Sequence, residues 1–483
     1  MSEGTAGLLD ELERIVGHRY LLRGRAELLP YSCDANRMFR GRPLCAVCPA
    51  DTDQVAAVVR ACRQAGVGFV PRGAGTGLSG GATPGDGQVV LSLARMRRVR
   101  AVDPVGRTAL VEPGVVNAHL SRYVEPWGLY YAPDPSSQSA CTIGGNVAEN
   151  AGGAHCLKYG VTTNHVLGLE VVLPDGSVVR TGRLGPPCQA YDLTGVVCGS
   201  EGTLGVVTAA LVRLLPRAGA VRTAMAMFAG VDGAAAAVEG ITAAGVLPAA
   251  LEMMDRNAMT AVERGAYPVG YPAEVGAVLL FEFDGIAHGL DEHVAAAMDV
   301  CRRSGVMEVR PAQSEDERHQ WWNNRKAAFA AMGQMAPSYY VADGVIPRTA
   351  LTMVLGQVAE ISQDARIWSA NVFHAGDGNL HPLLAYDPRV DGEEERVQYA
   401  GSAILAACVA AGGAVSGEHG IGLEKRDDLY YAFDETDMDA QRGVHDVFDA
   451  TDLANPGKMY PLAGRCAEVR RAAWDPRAHV HGA

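Results

Sequence analysis

The sequence lacks three features, each of which would define a class of protein. No stretch approaches the roughly 20 consecutive apolar residues that a membrane-spanning helix needs, so we expect no integral membrane segment. There is no run of Lys or Arg, and the net charge of −13 argues against nucleic acid as a partner, because phosphate binding depends on clustered basic side chains. The acidic start of the chain predicts a short amphipathic helix, without the basic and apolar regions of a signal peptide.

Cysteine is present, but its spacing does not form a disulfide or metal-binding framework. Eleven cysteines are an odd, dispersed set in a chain of 483 residues, which fits reduced thiols in the cytoplasm. Cys45 and Cys48 form one CxxC with no second pair, and their apolar setting predicts a buried strand followed by a helix from Asp51. A chain of this length and 48% hydrophobic content can bury sizeable cores, so we expect two or three domains and a cytoplasmic protein.

Glycine, in contrast, is abundant. The 57 glycines are about 12% of the chain, against an average of about 7%, and much of the excess lies between residues 66 and 205. Gly75, Gly77 and Gly80 satisfy GxGxxG, but the dinucleotide fingerprint must open a helix, and the glycines and Pro84 that follow prevent one. The pattern instead predicts a strand, a glycine loop and a second strand, whose backbone amides can cradle a pyrophosphate without a helix dipole.

Two further glycine-rich segments follow. Residues 131–160 are long for a loop within a compact domain, and such loops are usually functional. Their serines and Gly-Gly pairs predict a chain laid flat along a ligand. Residues 199–205 form a third glycine loop that leads into a strand. From about residue 218, strand and helix patterns alternate, which predicts an α+β domain built on an antiparallel sheet.

The segment "VFHAGDGNLH" at 372–381 holds two histidines seven positions apart. On a helix, His374 and His381 would stand about 10 Å apart along the axis, and on an unbroken strand they would face opposite sides. Gly376 and Gly378 allow a third arrangement, in which the chain folds tightly and both imidazoles converge on one point. The alternative is an ordinary turn with two hydrogen-bonded histidines.

A metal site with two histidines needs a third ligand, commonly a carboxylate. The segment "VSGEHGIGLEKR" at 415–426 offers Glu418 as that ligand and leaves His419 free as a base, although an EH pair in a plain turn is the alternative. A further carboxylate, Asp377, more plausibly orients the tight turn. Asn379 could donate a hydrogen bond to a substrate oxygen.

A helical pattern upstream, "QWWNNRKAAFAAM", places Arg325 and Lys326 near the middle of a helix. A helix cation is usually solvated. Arginine is nevertheless the residue suited to binding a carboxylate with two hydrogen bonds.

Six motifs in order resemble one known family. The segments are "PRGAGTGLSGGA", "PDPSSQSACTIGGNVAENAGGAHCLKYG", "GSEGTLG", "FHAGDGNLHP", "SGEHGIGLEK" and "NPGKMYP". They are similar to the FAD-linked 2-hydroxyacid dehydrogenases of the vanillyl-alcohol oxidase type, including the glycolate oxidase branch, and the likeness extends into the C-terminal tail. D-lactate and D-2-hydroxyglutarate dehydrogenases share most of these motifs.

The resemblance implies an α+β protein with a two-part FAD-binding domain followed by a ferredoxin-like substrate or cap domain on an antiparallel sheet. The expected boundaries are an N-terminal helical segment at 1–40, the FAD-binding domain at 41–217, the substrate and metal domain at 218–466 and a tail at 467–483.

The resemblance also implies a set of positions that hold the flavin. They are Pro71, Arg72, Gly73, Gly75, Thr76, Gly77, Leu78, Ser79, Gly80, Gly81, Asp134, Ser137, Gly144, Gly145, Asn146, Asn150, Gly153, Tyr159, Glu201, Gly205 and Asn455. The first glycine loop has no histidine for a covalent link, so we expect non-covalent FAD. In the metal-dependent relatives, the positions matching His374, His381 and Glu418 are ligands, the position matching His419 is the base, and Arg325 matches an arginine on the substrate carboxylate.

These expectations define an activity and its alternatives. The expected reaction is oxidation of a small 2-hydroxy acid, glycolate or D-lactate, by FAD with a divalent metal, zinc or else iron or manganese. Val341 and Ala342 stand where a relative acting on longer diacids has a basic residue, which argues against a second substrate carboxylate. Expected partners are a second FAD subunit and an iron-sulfur subunit, through which the protein would reach a membrane surface. The alternatives are a non-catalytic flavin-holding subunit, a D-2-hydroxyglutarate dehydrogenase and a metal-dependent hydrolase without flavin.

Overall fold

The computed structural model describes residues 3–185 and 191–461. The tail expected at 467–483, and the domain end expected at 466, lie outside the described residues. The α-helices are α1 (Glu3–Val16), α2 (Arg25–Leu28), α3 (Thr52–Ala65), α4 (Asn117–Val124), α5 (Ile143–Glu149), α6 (Cys156–Tyr159), α7 (Leu193–Val197), α8 (Val231–Ala243), α9 (Arg256–Glu263), α10 (Leu290–Arg303), α11 (Glu315–Lys326), α12 (Ala328–Ala331), α13 (Leu351–Asp364), α14 (Glu393–Ala410) and α15 (Glu435–Asp449).

The strands are mostly short and belong to separate sheets. They are β1 (Leu21–Leu22), β2 (Cys45–Val47), β3 (Phe69–Arg72), β4 (Val89–Ser92), β5 (Val99–Asp103), β6 (Thr108–Val111), β7 (Leu129–Tyr130), β8 (Val166–Val172), β9 (Val178–Arg180), β10 (Val206–Arg213), β11 (Leu215–Pro216), β12 (Ala220–Phe228), β13 (Ala250–Asp255), β14 (Ala277–Gly285), β15 (Glu308–Pro311), β16 (Ser338–Val341), β17 (Gly344–Val345), β18 (Trp368–His374), β19 (Asn379–Leu380) and β20 (Pro382–Tyr386).

The first half of the chain builds two main sheets and a small one of β7 and β11. In one, β2, β4 and β3 run parallel, with β1 antiparallel at the edge, and in the other the antiparallel order is β5-β6-β10-β8-β9. Helix α3 begins because the Asp51 side chain accepts the amide of Gln54 at 2.9 Å, and it ends at Gly66, whose φ of 63° favours glycine. The predicted strand at Cys45 and helix from Asp51 are confirmed.

The N-terminal helix packs on the first sheet. Leu9 and Leu12 of α1 share one buried cluster with Val55 and Val59 of α3. The chain returns to this sheet near its end, where Ala454 pairs with Phe69. Residues from both ends of the chain thus stabilise the sheet that carries the first glycine loop.

The second half is built on one large sheet. Its order is β15-β12-β14-β13-β18-β19-β17, with β20 joining β18 and β16, and the pairs are antiparallel, as predicted. Along β12, Ala224, Ala226 and Phe228 face one buried cluster while Met225 and Met227 face another. Because successive side chains point to opposite faces, helices cover both sides of this sheet.

The glycine-rich segments differ in how regular they are. The first forms the predicted unit of β3, a loop and β4. The sequence predicts that residues 131–160 are laid flat along a ligand. The structure differs, because this segment contains the helices α5 and α6. Thr142 caps α5 by accepting the amide of Gly145 at 3.4 Å. Among the described residues, no helix combines the length and apolarity that crossing a membrane requires.

Candidate functional site

A tight turn brings the two histidines together. His374 ends β18 and pairs with Asn379, the first residue of β19. Asp377 accepts the amide of Asn379 at 3.2 Å and so orients the turn. Gly378 has a φ of 79°, and a Cβ there would lie 2.1 Å from the carbonyl oxygen of Ile346, so only glycine fits. The imidazole centroids of His374 and His381 are 5.1 Å apart, as the convergent arrangement requires.

Glu418 reaches the same point from a different loop. Its Oε1 lies 3.2 Å from Nε2 of His374 and 3.4 Å from Nε2 of His381. The loop is held by the buried Asp343 carboxylate, which accepts the amides of residues 417–419 at 3.0–3.2 Å. Lys425 pairs with Asp343 at 2.8 Å, and both side chains are fully buried.

Buried carboxylates concentrate negative charge around His374. Burial opposes a charge on this imidazole, but Glu252 and Glu418 outweigh it and raise the pKa of His374 well above its usual range. Burial likewise opposes the charge on Glu418, yet His374 and His381 lower the pKa of Glu418 to about 2. The centre therefore attracts a positive charge, either a proton or a metal cation.

The donor atoms of this centre fit a divalent metal. Nδ1 of His374 lies 2.7 Å from Oε1 of Glu252 and donates to that carboxylate, so Nε2 is the nitrogen that remains for a metal, as in metal-binding histidines. Both ring nitrogens of His381 are buried and make no hydrogen bond with a described residue. The ligand atoms of His374, His381 and Glu418 all lie within 4.8 Å of one another, and two imidazoles with one carboxylate suit zinc.

A second group of possible ligands shares His381. Ligand atoms of Asp343, His381 and His419 also lie within 4.8 Å of one another. Asp343 is already engaged by the Lys425 ammonium, which would repel a divalent cation at that position. The geometry therefore favours the group that contains Glu418.

His419 lies beside the possible metal ligands and does not belong to the favoured group of His374, His381 and Glu418. Its ring stacks on His381 with centroids 4.9 Å apart and an interplanar angle of 11°. Its Nδ1 is buried and has no hydrogen-bond partner among the described residues. Burial lowers the pKa of His419 to about 4, although Asp343 acts in the opposite direction, so the imidazole is neutral near pH 7.

Arg325 is buried, in contrast to a typical helix cation. The side chain is 5% exposed, and its Nη2 pairs with Oε2 of Glu252 at 2.5 Å. The expectation that it lies near the middle of a helix is wrong. Helix α11 begins earlier, where Ser314 caps it by accepting the amide of Glu317, and Arg325 falls in its last turn.

One cleft of about 460 Å³ runs between the glycine loops and the histidine centre. Its lining includes Glu418, His419, Phe329 and Tyr339. It also includes many of the positions expected to hold the flavin, which are Pro71, Arg72, Gly73, Gly75, Thr76, Gly77, Leu78, Gly81, Ser137, Gly144, Gly145, Asn146, Glu201 and Gly205.

The remaining expected positions lie outside the lining of the cleft. They are Ser79, Gly80, Asp134, Asn150, Gly153, Tyr159 and Asn455, none of which lines it. Asn455 donates to the carbonyl oxygens of Gly81 and Glu201 at 2.8 and 2.6 Å, and Tyr159 donates to Asp284 at 2.6 Å. These contacts tie the C-terminal half of the chain to the glycine loops.

The first glycine loop fits a bound phosphate group. The amides of residues 73–78 donate no hydrogen bond to any other residue that the structure describes. Backbone amides without internal partners need an acceptor, and a pyrophosphate supplies several. This observation supports the cofactor that the sequence predicts.

Sequence reasoning missed Glu252. It lies on β13 in "LEMMDRNAM", a segment that reads as methionine-rich core filling. A carboxylate flanked by apolar residues within a strand was the available signal, because a buried charge needs partners. Those partners are His374 and Arg325, which are far away in the sequence.

Comparisons with known proteins agree with this architecture. Residues 43–182 match the family described as FAD binding domain, and residues 217–459 match FAD linked oxidases, C-terminal domain. The glycolate oxidase subunit GlcD of Escherichia coli (strain K12) is 45% identical over 448 residues, which are 93% of this chain and 90% of that protein. The corresponding subunit of Bacillus subtilis (strain 168) is 36% identical over 462 residues, 95% of this chain and 98% of that protein.

A D-lactate dehydrogenase of Anaerostipes hadrus is 32% identical over 428 residues, which are 87% of this chain and 90% of that protein. Among solved structures, a 4-ethylphenol oxidase from Gulosibacter chungangensis superposes with a TM-score of 0.79 at 19% identity, covering 96% of this chain and 99% of that one. The predicted two-part flavoprotein fold is thereby confirmed. The chain belongs to the family of FAD-linked oxidases with the vanillyl-alcohol oxidase type of fold, and it is an FAD-binding oxidoreductase.

Proposed function

We propose that the protein oxidises a small 2-hydroxy acid, glycolate or D-lactate, to the 2-oxo acid. The observation that carries this proposal is that the glycine loops line one side of a cleft and Glu418 and His419 line the other side of the same cleft. A flavin held by the loops would thus lie next to a centre suited to remove a hydroxyl proton. The names of the relatives, glycolate oxidase subunit and D-lactate dehydrogenase, support the same substrate class.

The chemistry divides between cofactors and side chains. FAD held by the glycine loops would supply a hydride acceptor, and a divalent metal held by His374, His381 and Glu418 would make the hydroxyl more acidic. His419 takes the hydroxyl proton at Nδ1, which has no hydrogen-bond partner among the described residues and can accept a proton when the imidazole is neutral. The 2-hydroxy acid thus loses one hydride and one proton, and the products are the 2-oxo acid and reduced FAD.

Two other side chains position the substrate. Arg325 has four N–H groups besides the one facing Glu252, and it binds the substrate carboxylate. Asn379 is buried, and its Oδ1 has no hydrogen-bond partner among the described residues, so the amide is available to a polar ligand. Both roles rest on the proximity of these residues to the metal ligands.

The surroundings favour a small substrate. Val341 and Ala342 precede Asp343, so no basic side chain stands at the position that would bind a second carboxylate. The aromatic ring of Phe329 lies 6.0 Å from that of His381 and limits the space beside the centre. For these reasons we propose that glycolate and D-lactate are better substrates than D-2-hydroxyglutarate.

A second candidate is a flavin-holding subunit whose chemistry occurs elsewhere. The word "subunit" in the names of the two glycolate oxidase relatives favours an assembly with other chains, for which we propose a second FAD subunit and an iron-sulfur subunit. However, a non-catalytic chain has no need of a possible metal site with a neutral imidazole beside it and a buried arginine paired to the same carboxylate as His374. We therefore propose that this chain is the one that oxidises the substrate, in the cytoplasm.

An anaerobic titration of the metal-replete protein tests the proposal. Glycolate, D-lactate and D-2-hydroxyglutarate are added in turn while the visible spectrum of the flavin is recorded. Bleaching by glycolate or D-lactate at lower concentration than by the diacid is expected. A flavin that stays oxidised with all three would favour the companion-subunit function, and a protein that cannot take up FAD would favour a hydrolase.

A further inference from the structure

One buried carboxylate touches two parts of the proposed site at once. Glu252 on β13 lies directly opposite His374 on β18, and its side chain is 1% exposed. Its Oε1 is 2.7 Å from Nδ1 of His374, and its Oε2 is 2.5 Å from Nη2 of Arg325. The metal ligand and the carboxylate-binding arginine are therefore held by the same side chain.

We infer that Glu252 is a positioning residue that fixes His374 for the metal and Arg325 for the substrate in one geometry. This inference rests on the proposed function, because it assigns a role toward the metal and the 2-hydroxy acid. Glu252 itself does not line the cleft, so it acts through its two neighbours.

The contact with His374 determines which ring nitrogen is free. A carboxylate can only accept a hydrogen bond, so Nδ1 of His374 must carry the proton that faces Glu252. Nε2 is then the nitrogen left to bind a metal, on the side where Glu418 and His381 lie. Outer carboxylates of this kind orient the imidazole and raise its basicity, and their loss typically weakens metal affinity 10–100-fold.

The contact with Arg325 keeps a buried cation available for substrate. Unpaired charges are costly to bury, and Glu252 compensates the guanidinium when no substrate is present. Nη2 forms an ion pair with Oε2 of Glu252 at 2.5 Å, and neither Nη2 nor Nε has a hydrogen-bond partner among the described residues. A substrate carboxylate can therefore bind to the remaining N–H groups while Glu252 stays in place.

The neighbouring strand supplies a matched control. Glu282 on β14 is also buried, and it holds the same helix α11 by accepting from Trp322 at 2.7 Å and from Arg318 at 3.1 Å. It also accepts from Thr223 and faces His155, but it makes no contact with His374 or Arg325. Loss of the Glu282 charge therefore weakens contacts that hold α11 and leaves the contacts of the metal ligands in place.

The experiment compares wild-type protein with Glu252→Gln and Glu282→Gln. Each protein is loaded with zinc and FAD, and zinc retention is measured against a competing chelator, together with kcat and KM for glycolate and D-lactate. For Glu252→Gln we expect unchanged FAD content, zinc affinity lower by about 10–100-fold, and a raised KM that excess zinc does not restore. For Glu282→Gln, zinc affinity should stay within about two-fold of wild type.

Two results would overturn the inference. One is zinc affinity and KM in Glu252→Gln equal to those of wild type, and the other is an equal loss of zinc in both variants, which would indicate a general effect of α11. If Glu252→Gln does not fold, Glu252→Asp is measured instead. Aspartate keeps the charge but is too short to make both contacts, so we expect a smaller loss of zinc affinity and a smaller rise in KM. Wild-type protein that binds no metal and no 2-hydroxy acid would instead contradict the proposed function itself.

Discussion

The two walls of the cleft use different chemistry. We call one the glycine wall, which consists of residues 71–81 with Gly144, Gly145 and Gly205, and the other the histidine wall, which consists of Glu418 and His419 with His374 and His381 behind them. The glycine wall presents backbone amides, which carry no titratable charge. The histidine wall presents imidazoles and one carboxylate, and the pKa values of His374, Glu418 and His419 are strongly shifted. We therefore expect that changes in the glycine wall impair cofactor binding without impairing proton removal, and that changes in the histidine wall have the reverse effect.

Removal of the metal should have the largest effect on turnover. It should change only the histidine wall. We expect dialysis against a chelator to lower turnover with 2-hydroxy acids by roughly 10³-fold, because a Lewis acid at the hydroxyl contributes several kcal/mol. The FAD content, measured from the visible spectrum, should not change. Added zinc or manganese should restore turnover, and full activity in metal-free protein would remove the histidine wall from the mechanism.

A change in the glycine wall should have the opposite pattern. A Cβ at Gly144 would lie 2.5 Å from Cβ of Pro113, so we expect Gly144→Ala to cost about 1–3 kcal/mol by displacing the first turn of α5. FAD should be lost on gel filtration while bound zinc is retained. The matched control is Gly356→Ala on the exposed face of α13, where a Cβ meets nothing within 4 Å and stability should rise by up to about 1 kcal/mol.

The contact between the two halves of the chain should depend on pH. Burial disfavours the charged form of His155, but Asp134 and Glu282 outweigh it and raise the pKa of His155 to about 10. A raised pKa means that the stabilisation is complete below the unfolded value of about 6.5 and is lost as the pH rises through about 10. We expect His155→Gln to destabilise the protein by about 1–3 kcal/mol at pH 6, and by much less at pH 10.5. Thermal unfolding of both proteins across this range checks the difference; equal loss at every pH would assign the effect to packing against Trp322.

Each wall could be predicted only in part. The first glycine loop and the turn between His374 and His381 could be predicted because glycine and proline restrict the backbone locally. Helices α5 and α6 were missed, since short helices leave little periodic signal in a glycine-rich segment. Glu252 was missed because its partner His374 lies 122 residues away, and only the pairing of β13 with β18 brings them together.

Arg325 shows the same limit. Its residue type indicated carboxylate binding, but its burial depends on how α11 packs on the sheet, which its own segment does not specify. Local patterns therefore predicted the backbone of the site, whereas the charge pairs that position its side chains required the tertiary structure.

The measurement that tests the separation of the two walls most directly is single-turnover flavin reduction in His419→Ala. The protein is mixed anaerobically with glycolate or D-lactate, and exposed His288→Ala serves as the control. We predict a normal flavin spectrum and normal metal content in His419→Ala, with reduction slowed by about 10²–10⁴-fold, because a positioned base contributes that much. Reduction at the wild-type rate would contradict the account, since the base would then lie elsewhere.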